Sequence, residues 1–307
     1  MLLEPTQPIA RKRINLKLLA FSLVLISLTL LVLQSSKSNK LHSKDETTSH
    51  EFLLYQQKFG KSYLSSDHMS RFQKFQKNQA FIHDYNSAQS TVTLAINKFA
   101  DMDFTEFQSK YLMNLPYSSR KPSFISAPVL DPLLLEPVVN WTSQGVVTPV
   151  KDQGHCGSCW AFSTTGTIES AWAIKHGELI SLSEQQLVSC TLDYECFGCN
   201  GGWPSEAILY TIKNGGLNNE SNYEYTASDS ACNETLQKKS SIVVTGIEYV
   251  QDFNHVALMN AVSKGPVSVL VQANILWMLY SQGTITNNCG YEINHAVLAV
   301  GYNSHLA

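Results

Sequence analysis

The segment Gln153-Gly-His-Cys156-Gly-Ser-Cys159-Trp-Ala-Phe-Ser163 concentrates the reactive side chains of this chain. From Cys159 to Lys175 the sequence reads as a helix ended by Gly177. A cysteine in the first turn of a helix meets unpaired N–H groups and the positive end of the helix dipole. Both favour thiolate over thiol, which predicts a lowered pKa and a nucleophilic sulfur. Attack on a carbonyl also needs a base and a donor for the developing oxyanion. The side-chain amide of Gln153, six residues upstream of Cys159, is a candidate donor.

The base must come from the nine histidines. His42, His50, His68 and His83 precede the cysteine-bearing region, and His155 is too near Cys159 in sequence to face it across a cleft without a special turn. His176 falls at the far end of the Cys159 helix, His255 reads as a solvent-facing helix residue, and His305 sits in the tail. His295 opens an apolar strand, where an edge position lets a side chain face another lobe. Zinc is a rival use for Cys156-x-x-Cys159 and Cys196-x-x-Cys199. The 36 residues between the pairs (196 − 159 − 1) exceed the roughly 15–20 of a zinc ribbon, so no metal and no cofactor is expected.

Elements must position these groups. Ser183-Glu-Gln-Gln186 is a capping box opening a second helix, and Pro204–Lys213 reads as a third, closed by Asn214-Gly215-Gly216. Segments 242–250, 267–272 and 296–302 are rich in Val, Ile and Tyr and read as strands. Helices followed by strands imply an α+β domain with two lobes. Upstream, residues 51–108 hold no cysteine and read as helical, with Phe72, Phe75, Gln79, Ile82 and Asn86 on one face. Polar or Pro- and Ser-rich linkers are expected at 37–50 and 109–134.

Arg11, Lys12, Arg13 and Lys17 precede an uncharged run from Leu18 to Ser36. A basic segment before an apolar one directs a chain into the secretory pathway. The apolar core, Leu18 to Leu33, is longer than the ~7–15 residues of a signal peptide and shorter than the ~17–25 of a membrane span. Residues 1–36 are therefore a signal peptide or a signal anchor, and contact with a membrane is expected only for an anchor. In an oxidising compartment seven cysteines suggest disulfides, and an odd count leaves a free thiol. Sequons at Asn140, Asn219 and Asn233 fit that route. A charged fraction of 15% with a net charge of −3 and no basic stripe excludes a nucleic-acid footprint.

Together these residues resemble the papain-like cysteine proteases. Cys156-Gly-Ser-Cys159-Trp matches that family's signature, and Asn294-His295-Ala-Val-Leu-Ala-Val-Gly-Tyr, 136 residues downstream (295 − 159), looks like its histidine strand. Cys199-Asn-Gly-Gly-Trp-Pro204 and Gly265-Pro-Val-Ser-Val-Leu270 resemble the two walls of its substrate cleft. Upstream, Arg71, Phe75, Asn78, Ile82 and Asn86 match the inhibitory prosegment of the cathepsin L-like branch, with Asp67 in place of its Glu. Asn97-x-Phe99-x-Asp101 matches a second prosegment motif, with Ala95 where Gly is usual.

The resemblance implies a papain-like fold: a helical lobe and an incomplete antiparallel β-barrel lobe in 135–307, preceded by a helical inhibitory prodomain in 51–108. It implies a zymogen that hydrolyses peptide bonds, with Cys159 as nucleophile, His295 as base and Gln153 in the oxyanion hole. Gly201 and Gly202 would pair with substrate backbone. Trp203, Pro204, Leu270, Asn294 and Ala296 would border the binding cleft. It also implies disulfides Cys156–Cys199 and Cys190–Cys232, with Cys289 normally bonded to a cysteine further on and Cys196 extra. Spacing alone leaves a Cys196–Cys289 bond open. The expected partners are peptide or protein substrates and the chain's own prodomain, with the protein a monomer in a lysosome, a vacuole or outside the cell.

One part of the family pattern is missing. Relatives orient the histidine with an Asn followed by Ser-Trp. The candidate Asn303-Ser304 lies only eight residues past His295, roughly 26 Å along an extended strand at ~3.3 Å per residue. The expectation is a chain that stops before the third catalytic residue and the closing strands, with weak activity and stability. A non-catalytic remnant that binds related proteases through its prosegment is the reading from another class.

Overall fold

The computed structural model describes residues 48–88, 91–115, 135–238 and 240–306. The secretory segment, most of both linkers and the candidate cleavage region lie outside them. The described residues fall into two compact units, divided between Gln76 and Lys77. In the first, helix α1 (48–59) and the start of α2 (Ser65–Ser87) share an aromatic core, with the Phe75 ring 5.2 Å from Phe52 and 5.0 Å from Tyr55.

The second unit begins with the rest of α2. Asn78 is buried and its amide donates to the carbonyls of Ala100 and Met102 at 2.8 and 2.7 Å, so the turn after strand β1 (Val92–Leu94) is tied to the helix. Asn86 exchanges two hydrogen bonds with Leu94. Of the residues read onto one face of this helix, Phe75 is buried, Phe72, Gln79 and Ile82 are half-buried and Asn86 is exposed, where the polar bonds act instead of packing. The prodomain is also not purely helical, because β1 pairs antiparallel with β4 (Tyr280–Gly283). Helix α3 (Phe104–Tyr111), capped by Asp103, runs three residues past the expected boundary at 108.

Helix α4 (Cys159–His176) is the centre of this unit and ends at Gly177 in the left-handed region, as its sequence implied. Trp160, Ala161, Ile168 and Ala173 are all buried along it. It packs on α5 (Glu184–Cys190), which Ser183 caps by accepting from Gln186 N–H, and on α6 (Pro204–Asn214). Its other side meets β3 (Val267–Val271) and β5 (His295–Ala299). Gly166 is needed there, since a Cβ would lie 2.9 Å from a Leu298 methyl. Ser163 adds a polar tie, its hydroxyl 2.8 Å from Val297 O and 2.5 Å from Ser268 Oγ.

The strand region differs from expectation in two ways. Segment 296–302 is broken at Val300, so β5 pairs with β3 while β6 (Gly301–Asn303) pairs with β2 (Val138–Asn140). Segment 242–250 forms no strand; it holds single-residue bridges at Ile242, to Leu217, and at Tyr249, with Gly246 between them. The described sheets are three antiparallel pairs rather than one continuous barrel wall. Helices α7 (Glu234–Gln237), α8 (His255–Val262) and α9 (Ile275–Met278) link these pieces.

Candidate active site

Cys159 is the first residue of α4 and Ala296 the second of β5, and the Ala296 N–H donates to Cys159 Sγ at 3.4 Å. The helix start and the histidine strand thus meet at the sulfur. His295, next in the chain, lines the same cavity as Gln153, Tyr111 and Leu112. The ring of Trp277 stands edge-on to its imidazole at 6.3 Å.

The prosegment crosses this site. Gln153 Nε2 donates to the carbonyl of Tyr111 at 2.8 Å and to Cys156 O at 2.7 Å. Met113 N–H donates to Asn294 O at 2.8 Å and Asn114 N–H to Asn200 O at 2.9 Å. Gly201 has φ +129°, and a Cβ there would come within 3.0 Å of Leu115 and Met113. A Cβ at Gly202 would lie 2.6 Å from the Trp160 ring. Both glycines therefore give the crossing chain and the core room that a side chain would take.

Two features of this closed form differ from what the sequence leads one to expect of the open cleft. Gly201 does not pair with the crossing chain, because its own carbonyl accepts from Phe197 N–H and its N–H reaches Gly198 O. The carbonyl of Asn200, which carried no sequence signal, takes that bond instead. Burial also works against the thiolate here. Burial pushes the Cys159 thiol up to about 12, against the opposing pull of the Ala296, Trp160 and Cys159 N–H groups. Burial likewise lowers His295 to about 4, and its Nδ1 is buried without a partner. Met113 belongs to the apolar cluster that encloses Cys159, so with the prosegment in place burial favours the neutral thiol and the neutral imidazole.

The remaining site residues are placed as follows. Trp203 is the N-cap of α6 and Pro204 its buried first residue. Leu270 lies opposite Ala296 in the β3–β5 register and is 37% exposed, free to meet a ligand. Asn294 is held by a pair of bonds to Ala273. Asn303 pairs with Val138, and its side chain accepts from His305 N–H. Disulfides join Cys156 to Cys199 and Cys190 to Cys232. Cys196 is buried with its thiol directed at Trp203 O, and Cys289 is exposed, so the two are not bonded to each other. The two C-x₂-C pairs are thereby joined through one disulfide, leaving Cys159 and Cys196 as thiols.

Comparison with known proteins agrees with this geometry. Residues 135–306 match the family described as papain family cysteine protease, and residues 52–107 match the cathepsin propeptide inhibitor domain. The senescence-specific cysteine protease SAG39 of Oryza sativa subsp. indica is 40% identical over 235 residues, 76% of this chain and 69% of that protein. Ananain of Ananas comosus is 36% identical over 255 residues, 82% and 73% of the two chains. Among solved structures, a recombinant stem bromelain precursor superposes with a TM-score of 0.77 at 35% identity, covering 84% of this chain and 83% of its own. The proform of the ragweed pollen allergen Amb a 11 gives 0.73 at 31% identity, covering 84% and 80%.

Proposed function

Because the chain belongs to the papain family of cysteine proteases and carries the cathepsin-type inhibitory propeptide, we propose that Cys159, His295 and Gln153 carry out its endopeptidase chemistry. The observation that carries this reading is the meeting of Ala296 N–H with Cys159 Sγ while Gln153 Nε2 holds a peptide carbonyl in the same cleft. Once the prosegment leaves, water reaches the pair, the helix N–H groups favour the thiolate, and the Cys159 proton passes to His295 to give the imidazolium. The thiolate attacks the substrate carbonyl, and Gln153 Nε2 with the Cys159 N–H hold the oxyanion. His295 protonates the leaving amine and then accepts a proton from the water that hydrolyses the thioester.

The cleft takes an extended peptide. Asn200 O and Asn294 O accept from its backbone, as they do from Asn114 and Met113. Trp203, Pro204, Leu270 and Ala296 border the pocket for its apolar side chain. Residues 51–108 act as the inhibitory prodomain, 109–134 as the activation segment and 135–307 as the peptidase domain.

Synthesis in the secretory pathway, with delivery to a lysosome or vacuole or outside the cell, is supported by the two disulfides. It is also supported by the exposed sequon residues Asn140 and Asn233. Asn219 is the least exposed of the three.

The test is acid-triggered removal of the prosegment followed by titration with a thiol-directed inhibitor. One equivalent of label on Cys159 is expected, with only slow turnover of a dipeptide amide, since no Asn orients His295 among the described residues. Labelling elsewhere with Cys159 untouched would overturn the assignment.

A further inference from the structure

The hydroxyl of Tyr225 lies 2.7 Å from the backbone carbonyl of Gln153 and 2.5 Å from Ser158 Oγ. A carbonyl can only accept, so the tyrosine proton goes to Gln153 O and the serine proton goes to Tyr225 Oη. The tyrosine is fixed at its other end. Its N–H donates to Glu220 Oε1 at 2.8 Å, and its ring meets Phe162 edge-on at 4.9 Å. One hydroxyl therefore joins the peptide that carries Gln153 to the residue before Cys159.

Ser158 is the N-cap of α4, where a serine side chain ordinarily accepts from the N–H two or three residues on. Here it makes no such bond, because its hydroxyl is turned to Tyr225. The N–H groups of Cys159 and Trp160 point at the sulfur, where they draw its pKa down against burial. We infer that Tyr225 is a positioning residue for this peptidase, holding the two oxyanion donors, Gln153 Nε2 and Cys159 N–H, at a fixed separation. This rests on the roles of Cys159 and Gln153 proposed above. Burial pushes the phenol up to about 12, so it remains a donor throughout the working pH range.

Displacing a catalytic group by about 1 Å can cost ~10²-fold, and deleting an oxyanion donor costs ~10²–10³-fold. Loss of the anchor alone is expected to lower kcat about 10- to 100-fold. The test is Tyr225→Phe in the full chain, activated from the zymogen, since phenylalanine keeps the ring contact with Phe162. The kcat and KM for a dipeptide amide are compared with the rate of Cys159 alkylation by iodoacetamide, a displacement that forms no oxyanion.

The expected result is a fall in kcat with KM and alkylation unchanged within about twofold. An unchanged kcat, or alkylation falling in step with kcat, would overturn the inference. Ser158→Ala reads the other arm and should lose kcat in the same way, with the double variant no worse than Tyr225→Phe alone. Additive losses, or a Tyr225→Phe chain that cannot fold beside a fully active Ser158→Ala, would overturn it as well. A wild-type chain that is neither alkylated at Cys159 nor active would instead overturn the peptidase roles, and this inference with them.

Discussion

Lys151 and Cys159 leave the same loop-to-helix segment, yet burial ends differently for the two. Desolvation alone would lower the Lys151 pKa, but Glu184 and Glu169 outweigh it and raise it. The ammonium lies 2.6 Å from Glu184 Oε1 and 2.8 Å from Glu169 Oε1. Glu169 is tied further to Leu182 N–H and Thr148, and Glu184 to Thr165. One ammonium cannot neutralise two carboxylates, so burial leaves Glu184 at about 7. Cys159 and His295 have no such partners, and burial drives both to neutrality. A buried charge persists where opposite charges and hydrogen bonds are in reach, and disappears where they are not. The Lys151 ammonium thus keeps its charge beside its carboxylates, while burial holds the proposed catalytic pair neutral.

The comparison can be broken most directly at the catalytic pair. Cys159→Ala and His295→Ala should each lower turnover of a peptide amide roughly 10⁴-fold. Their unfolding midpoints should match or exceed that of the wild-type zymogen, because neither removes a satisfied charge. At Lys151 the effect should be on stability. Lys151→Met leaves two carboxylates buried without their cation, and about 3–5 kcal/mol of stability should be lost in urea unfolding at pH 7. A loss below about 1 kcal/mol would show that the ion cluster is not needed.

Acid and base should then act on the two regions with opposite sign. The His295 pKa is depressed in the closed zymogen, so its neutral form stabilises that state above about pH 6.5, and the benefit is lost as pH falls through about 4. The whole effect is on the order of 3 kcal/mol, from ~1.36 kcal/mol per pKa unit. The Glu184 pKa is raised, so its stabilisation is full below about 4.5 and is lost as pH rises through about 7. Thermal midpoints from pH 4 to 8 should flatten on the acid side in His295→Ala and on the neutral side in Glu184→Gln. Identical profiles for all three proteins would remove the contrast. The smallest effect belongs to the exposed ion pair between Lys98 of the prosegment and Asp152. Lys98→Ala should weaken closure by ~0.2–1 kcal/mol, read as faster Cys159 alkylation in the zymogen and reduced by salt.

Much of this was legible in the residues. The helix from Cys159 to Gly177, the Ser183 cap and the Pro204 start are local signals, set by side-chain hydrogen bonds and backbone preference within a few residues. The prosegment asparagines were legible as a pattern, but not the carbonyls of Ala100, Met102 and Leu94 that they hold. Segment 242–250 has strand composition and forms no strand, because pairing needs a neighbour that propensity cannot supply.

Sequence by itself determined which residues could be nucleophile, base and oxyanion donor, because thiol, imidazole and amide chemistry belong to residue type and helix position. Only the tertiary structure decided their state. Whether Cys159 is a thiol or a thiolate depends on how much water reaches it and which N–H groups face it, and those come from Met113, from β5 and from the start of α4. The bond from Gln153 to Tyr111, the choice of Asn200 over Gly201 and the turn of Ser158 toward Tyr225 are likewise long-range contacts. Each joins residues tens of positions apart, or divides hydrogen bonds among groups that the sequence alone leaves equally available.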